Sequence, residues 1–489
     1  MSATEPSGAP SRTALVAGAA AALAAAALLL ARFPWIAGPP SWRWTYEANA
    51  LWPRAAGTLG LFGILCVIAA LWTRGSRAPY RREAASLALL VLLAITLDLA
   101  FVGLSPLGPP TLPLIHYAPW ATGFFWSARA AHSLPELLAN YPEVVASLTH
   151  HAKTHPPGLV TINALALELF RGSAGATGAI LDGARWIGIP RGALRGRPEA
   201  ETATLIAVGL AVVILSRLSL IPAYFFARRH WGIETARATA LILAVVPSLL
   251  LFAGEFDGVY PLFVLCALLL VGRGRGWVAL LAAGAIAGAA CLFTFVATVF
   301  LALVAVTDFA LSPDLRLRAR ALRLAALGAG FALPLVVFQI ATDCSIPRVF
   351  LAAYTVQHEV LIPEQGRRWL TWVFWNLVDF FLFLGPAVAA LFGSRAVGAI
   401  AGLRWRRAIP ADRFAAAFVA FLAVLDLSGL IPAETSRVWM FLVGPVVAIA
   451  VGGAIPFGRR GLLLILALEF GLALVAKGSL LMIDVRPNG

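Results

Sequence analysis

The sequence predicts an all-α protein, a polytopic transmembrane helix bundle of about 13 spans forming one integral membrane domain over 1–489. Three observations predict it. Hydrophobic residues make up 60% of the chain and charged residues 13%, against about 25% charged in a soluble domain. Apolar stretches near the roughly 20 residues needed to cross a bilayer recur along the length. Arginines gather in every second connection between those stretches, as the positive-inside rule requires of cytoplasmic loops.

The elements follow in order. The stretch 13–31 is long enough to span and is followed by more spans, so it reads as an uncleaved anchor and not a signal peptide. Spans at 55–73 and 84–104 come next, joined by a turn holding Arg74, Arg77, Arg81 and Arg82. Residues 105–203 are polar by comparison and form a long outer loop with juxtamembrane helices. Within it, 159–170 is too short for a comfortable span and fits an interfacial or re-entrant helix. The alternative is that it crosses and a second short stretch, about 174–190, returns.

A core helical bundle covers 204–340, with spans at 204–228, 237–255, 258–272, 277–293, 294–310 and 322–340. The C-terminal spans, 370–392, 413–432, 437–455 and 461–482, fill 341–489. Arg228, Arg229 and Arg237; Arg273 and Arg275; Arg316, Arg318, Arg320 and Arg323; Arg404, Arg406, Arg407 and Arg413; and Arg459 and Arg460 mark the remaining inner loops. The N-terminus is then inside and the C-terminus outside. The outer side receives 32–54, 105–203, 341–369 and 433–436, and with them His116, His132, His150, His151, His155 and His358. Trp35, Trp42, Trp44, Trp120, Trp126, Trp369 and Trp372 fall there too and read as an interfacial belt.

Several function classes are excluded. The net charge of +14 is spread over short loops, which is a topology signal and not a nucleic-acid surface. Cys66, Cys266, Cys291 and Cys344 show neither Cys-x-x-Cys nor Cys/His metal spacing. There is no Walker lysine loop, Rossmann glycine fingerprint or serine elbow. Without a nucleotide site, a donor carried in the membrane fits better than a nucleotide-sugar.

The candidate chemistry sits on outer connections. Thr154-His155-Pro156-Pro157-Gly158 closes the long loop, preceded by His150, His151 and Lys153. Prolines suit a helix start, which is the structural reading of this motif. The functional reading is that Lys153, His155 and His151 bind a phosphate or orient a sugar. His151 and His155 have the spacing of paired metal ligands, but no local carboxylate completes the set and no metal site is assigned. A second connection, Gly254-Glu255-Phe256-Asp257-Gly258-Val259-Tyr260, offers two carboxylates at the membrane edge. They either cap helices or serve as a general base. A third, Glu434-Thr435-Ser436-Arg437-Val438-Trp439, places Arg437 where it can fork onto a lipid phosphate or pair with Glu434. Asp98, Arg217, Asp379, Asp426, Glu469 and Lys477 lie inside spans. They suggest either a polar cavity opening outward or mutual pairing, for instance of Arg217 with an aspartate.

The order of outer loop, Thr154 to Gly158, apolar helix, a span ending Ala227-Arg228-Arg229-His230-Trp231-Gly232, a span with Pro247, and Asp257 resembles the membrane core of GT-C superfamily glycosyltransferases. That group includes protein O-mannosyltransferases and lipid A aminoarabinose transferases. The resemblance covers about 145–270, with an echo at 430–445 in the Glu434 to Trp439 stretch. It implies a bacterial cytoplasmic membrane, a polyprenyl-phosphate-linked sugar as donor, and a cell-envelope glycan, lipid or protein acceptor on the outer face.

The resemblance also implies an inverting transfer with a loop carboxylate as base. Asp257 is the first choice, with Asp98 and Glu143 as rivals. Lys153, His155, His151, Glu255, Tyr260, Glu434 and Arg437 are then the substrate- and phosphate-binding set. No cofactor is implied with certainty, and a divalent metal would assist by neutralising the donor phosphate. The chain departs from the family pattern in one place. Between Phe101 and His155 there is no aspartate, only Glu136 and Glu143. Two other readings stay open: a transporter or flippase of a lipid-linked saccharide, and a non-catalytic membrane scaffold.

Overall fold

The computed structural model describes residues 11–39, 43–75, 79–149, 151–272, 274–361, 366–403, 408–453 and 455–485. Trp42, Arg77, His150, Arg273, Arg404, Arg406 and Arg407 lie outside the described residues. The described residues are mainly helical. The sole strands described are Thr45–Tyr46 and Leu480–Leu481, which pair antiparallel with Thr45 opposite Leu481.

Among the described residues, seven helices are long and apolar enough to cross a membrane. They include Arg12–Leu30, Tyr80–Gly103, Leu317–Thr342 and Gly458–Ser479. Other apolar stretches are shorter or broken. Tyr260–Leu269, Trp277–Cys291 and Ala297–Leu311 have 10 to 15 residues. At about 1.5 Å rise per residue they fall short of the ~30 Å hydrocarbon thickness if straight and perpendicular. The stretch 370–392 is not one straight span. Trp369–Leu384 and Pro386–Ala401 meet at 115°. Gly385, at φ 107°, takes a backbone conformation that side chains disfavour, and Pro386 starts the second helix. The 437–455 stretch also breaks, into Thr435–Val438, Met440–Leu442 and Val443–Ala450.

Burial orders the bundle. Val443–Ala450 is buried at every residue, and Ile233–Leu243 from Thr235 onward. A helix apolar on all sides belongs at a centre. Leu317–Thr342, at the periphery, buries only Leu327 and Gly330. It packs closely on Trp277–Cys291, where Gly284 and Gly288 leave no room for a Cβ against the carbonyls of Leu327 and Phe331. Small residues four apart permit such backbone approach between apolar helices.

The region 105–203 holds a set of short helices, among them Thr111–Tyr117, Phe124–Ala130, Gly158–Gly172 and Ala174–Arg185. The last two have 15 and 12 residues, too few for perpendicular spans. Gly158–Gly172 packs against Glu199–Leu218 and Phe124–Ala130.

Four arginines and four acids inside or beside the helices are satisfied as pairs, whereas Asp379, Asp426 and Glu469 accept only from neutral donors. Arg217 holds Asp98 through two hydrogen bonds, one from Nε at 2.6 Å, and both side chains are fully buried. Arg237 pairs with Glu83, which also accepts from Trp72 and Tyr224. Arg395 pairs with Asp412 and Arg323 with Asp308. The mutual-pairing alternative is therefore what Asp98 and Arg217 adopt. The tryptophans also divide. Trp35 and Trp369 are about half exposed, as an interfacial belt requires, but Trp44 and Trp372 are buried in the core.

Candidate active site

Three connections converge on one cavity of about 310 Å³. They are the end of the long loop, the turn before Tyr260–Leu269, and the turn before Thr435–Val438. Its walls include His151, Thr154, His155, Glu255, Asp257 and Arg437. The volume falls at the lower end of the range usual for small-molecule sites, about 300–1,000 Å³.

The His-Pro-Pro-Gly motif is built for close approach. Ala152–Thr154 forms a tight turn, and Pro157 is the cap residue of helix Gly158–Gly172. The Gly158 amide donates to the Leu292 carbonyl at 2.8 Å. A Cβ on Gly158 would lie 2.2 Å from that oxygen. His155 Nδ1 lies 2.8 Å from the His151 carbonyl and 3.2 Å from Thr154 Oγ1. An Nδ1–H donated to the carbonyl leaves Nε2 as the acceptor. Burial, with Arg437 nearby, holds the imidazole down to about 4 despite the bond to His151. His155 is therefore neutral at pH 7. It offers a hydrogen bond and not a positive charge.

The second connection carries the carboxylates. Gly254, at φ 95°, turns the chain after Pro247–Leu251, and the turn Phe256–Val259 follows. Phe256 packs edge-on against Phe124 and His116, and Phe124 in turn against His155. This aromatic row fixes the carboxylate turn relative to the histidine turn. Glu255 is 4% exposed, and neither its carboxylate nor that of Asp257 makes a hydrogen bond to a described residue. Burial pushes Glu255 up to about 7, with Arg437 opposing and Asp257 and Glu434 adding to the rise. Burial also raises Asp257. Tyr260 lies on the same wall beside Thr294.

The third connection supplies the counter-charge. Arg437 Nη2 donates to Glu434 at 2.7 Å. Its Nη1 lies 3.6 Å from Asp257 and 3.9 Å from Glu255, ion contacts too long for hydrogen bonds. Arg367 donates to Glu434 at 2.9 Å and to the Pro432 carbonyl at 3.0 Å. Burial raises Glu434, but Arg437 and Arg367 outweigh it and hold the carboxyl down to about 2. Ala433 and Glu434 both have positive φ, 72° and 53°, a conformation non-glycine residues adopt when surroundings enforce it. The enforcement is visible. Asn376 Oδ1 accepts from the Ala433 amide, Asp379 accepts from the Ser436 amide, and Thr435 donates to the Asn376 carbonyl. Trp44 then donates to Asp379, and Asn376 to Asp426.

The remaining wall is apolar and aromatic. It includes Phe295, Val299, Phe350, Leu430 and Ile431. Tyr354 and His358 lie on it with ring centroids 4.1 Å apart and planes 30° from parallel.

The sequence-derived site divides accordingly. Asp257, Glu255, Tyr260, His151, His155, Glu434 and Arg437 all line the cavity. Three proposed residues do not. Asp98 is locked to Arg217 within the helices. Glu143 pairs with Arg348 at 2.8 Å on an exposed surface. Lys153 is absent from the cavity wall. The intramembrane acids do not form the cavity either, since Asp379 and Asp426 brace the 433–436 turn from behind. Sequence reasoning missed Arg367, Thr294 and Tyr354. The signal for Arg367 was its pairing with Arg368 on a loop assigned outside, where the charge rule disfavours arginine. Among the described residues, no group of three or more His, Cys, Asp or Glu is placed to hold a metal ion.

Compared with protein-family models, curated proteins and solved structures, the chain gives no match.

Proposed function

We propose that the protein is a membrane glycosyltransferase of a bacterial cytoplasmic membrane, moving a sugar from a polyprenyl-phosphate donor to a cell-envelope acceptor. The observation that carries this reading is the convergence of Glu255, Asp257, His155 and Arg437 on one cavity with an apolar far wall. A lipid-linked sugar has the matching division into a hydroxyl-rich head, a phosphate and a hydrocarbon tail. On this reading the about 13 apolar stretches cross the bilayer, some bent or short, with the N-terminus inside and the cavity on the outer face.

In the proposed step the acceptor hydroxyl oxygen forms a bond to the anomeric carbon, and the bond from that carbon to the phosphate oxygen breaks. The acceptor proton passes to Glu255 or Asp257. An acid lifted toward neutrality is suited to that work. Arg437, whose Nη1 makes no hydrogen bond among the described residues, and Arg367 stabilise the departing phosphate. His155 and Tyr260 orient the sugar. Asp98, Glu143 and Lys153 take no part.

A transporter of lipid-linked saccharide is the second reading. The broken helix pair at Gly385 favours it, since discontinuous helices are a feature of transporters. Purified protein in vesicles, given a labelled polyprenyl-phosphate sugar and an acceptor extract, separates the two. Label appearing on the acceptor supports transfer. Label crossing the bilayer still attached to its lipid contradicts it.

A further inference from the structure

A second cavity, of about 70 Å³, lies behind the carboxylate turn. Leu250, Leu251 and Ala253 face it from the same segment that presents Glu255 and Asp257 to the larger cavity. Its chemistry is unlike that of the first. Lys477, on the last turn of helix Gly458–Ser479, donates to Ser105 Oγ at 2.8 Å. No carboxylate of the described residues comes within ion-pair distance of Lys477. An ammonium has three donors, and among the described residues this one uses a single neutral partner. Thr111, 4% exposed and on the same wall, has a hydroxyl with no partner among the described residues. Arg54 reaches the same turn from outside, donating to the carbonyls of Ser105 and Pro106 at 2.6 and 3.2 Å. Glu47 and Asp484 also touch the wall, and each has a partner of its own.

An ammonium drawn out of water needs compensation from a partner. Here two unspent ammonium hydrogens and an unspent hydroxyl face a space one small oxyanion wide. We propose that Lys477, Ser105 and Thr111 form a second binding site for a phosphate group, as found on a phospholipid headgroup or as free phosphate. The site is independent of the transfer cavity and of the function proposed for it. Its occupant would rest against the back of the turn that holds Glu255.

The test is thermal unfolding of the purified full-length protein in a maltoside detergent. One arm titrates inorganic phosphate and a second a short-chain phosphatidylglycerol, with added maltoside as the control. A saturable rise in Tm with phosphate assigns the phosphate group itself. A rise with the lipid alone assigns the headgroup on its lipid. In either case Lys477→Gln weakens the binding about tenfold or more, the loss expected for one charge-assisted contact. Thr111→Val, nearly the same shape and without a buried charge change, weakens it less and keeps the assay usable if the lysine variant does not fold. No rise in wild type with either ligand, or a rise that both variants leave unchanged, overturns the proposal.

Discussion

Arg437 Nη1 stands 3.6 Å from Asp257 Oδ2, while Nη2 of the same guanidinium donates to Glu434 at 2.7 Å. One arginine thus ties the turn before Tyr260–Leu269 to the turn before Thr435–Val438. It also leaves one edge of its fork without a hydrogen bond, facing the cavity. Arg437→Ala leaves Asp257 and Glu255 without their counter-charge and Glu434 with Arg367 alone. Removing one partner from a buried charge network costs roughly 3–5 kcal/mol, with the lower end expected because Arg437 is partly exposed. Arg437→Lys keeps a charge but not the fork. Thermal unfolding should show a large loss for the alanine variant and a smaller one for lysine, with transfer lost in both. An alanine variant as stable as wild type would contradict this account of the network.

The pH dependence has a defined sign. The folded His155 is held down to about 4, against about 6.5 for an unperturbed histidine. As pH falls, the unfolded chain takes up that proton first, so stability is lost between about 6.5 and 4. Glu255, raised to about 7, acts in the opposite direction, because the folded state keeps its proton longer as pH rises from about 4.5. His155→Gln should therefore lose less stability than wild type between pH 7 and pH 5 in denaturant titrations. A profile unchanged by the substitution would mean the imidazole is not held neutral.

Gly158 tests the role of the motif as a packing device. Its Cβ position lies 2.2 Å from the Leu292 carbonyl oxygen. Gly158→Ala must push the helix start away from that carbonyl, at a cost of about 1–3 kcal/mol by the usual penalty for overpacking. The displaced helix carries Leu159, which lines the cavity. A lower Tm together with reduced transfer is the expected pair of results, and an unchanged Tm would refute the close-contact argument.

The sequence made part of this legible and hid the rest for physical reasons. Helical class follows from composition, which acts residue by residue; about 13 spans are expected, and seven helices among the described residues are long and apolar enough to cross. Asp257, Glu255, His155 and Arg437 stood out because each is polar at the border of an apolar run, where burial would be costly without purpose. What spacing could not show is which polar groups meet. Asp98 stands in the sequence as a rival to Asp257, and only the packing of Arg217 against it removes it from the site. Lys153 draws attention because it sits beside the motif, yet Arg367, which nothing in the spacing singles out, is the residue that reaches Glu434. The 115° turn at Gly385 was equally hidden, since an apolar run shows no direction.

The Asp98–Arg217 pair gives a direct check on that division. Asp98→Asn leaves Arg217 buried without its counter-charge, a loss of roughly 3–5 kcal/mol. The yield of folded protein should fall while activity per folded molecule stays near wild type. A variant that folds well but has lost activity would return Asp98 to the active site.

The most direct test of the central claim replaces the two unbonded carboxylates. Asp257→Asn and Glu255→Gln, singly and together, should fold close to wild type, because neither carboxylate accepts a hydrogen bond from a described residue and Arg437 keeps Glu434 as its counter-charge. Transfer of sugar from a polyprenyl-phosphate donor by the purified variants is the measurement. The account predicts that at least one single variant falls by about 10²-fold or more, the usual contribution of a positioned base, and that the double variant is inactive. A folded double variant with wild-type transfer would contradict it.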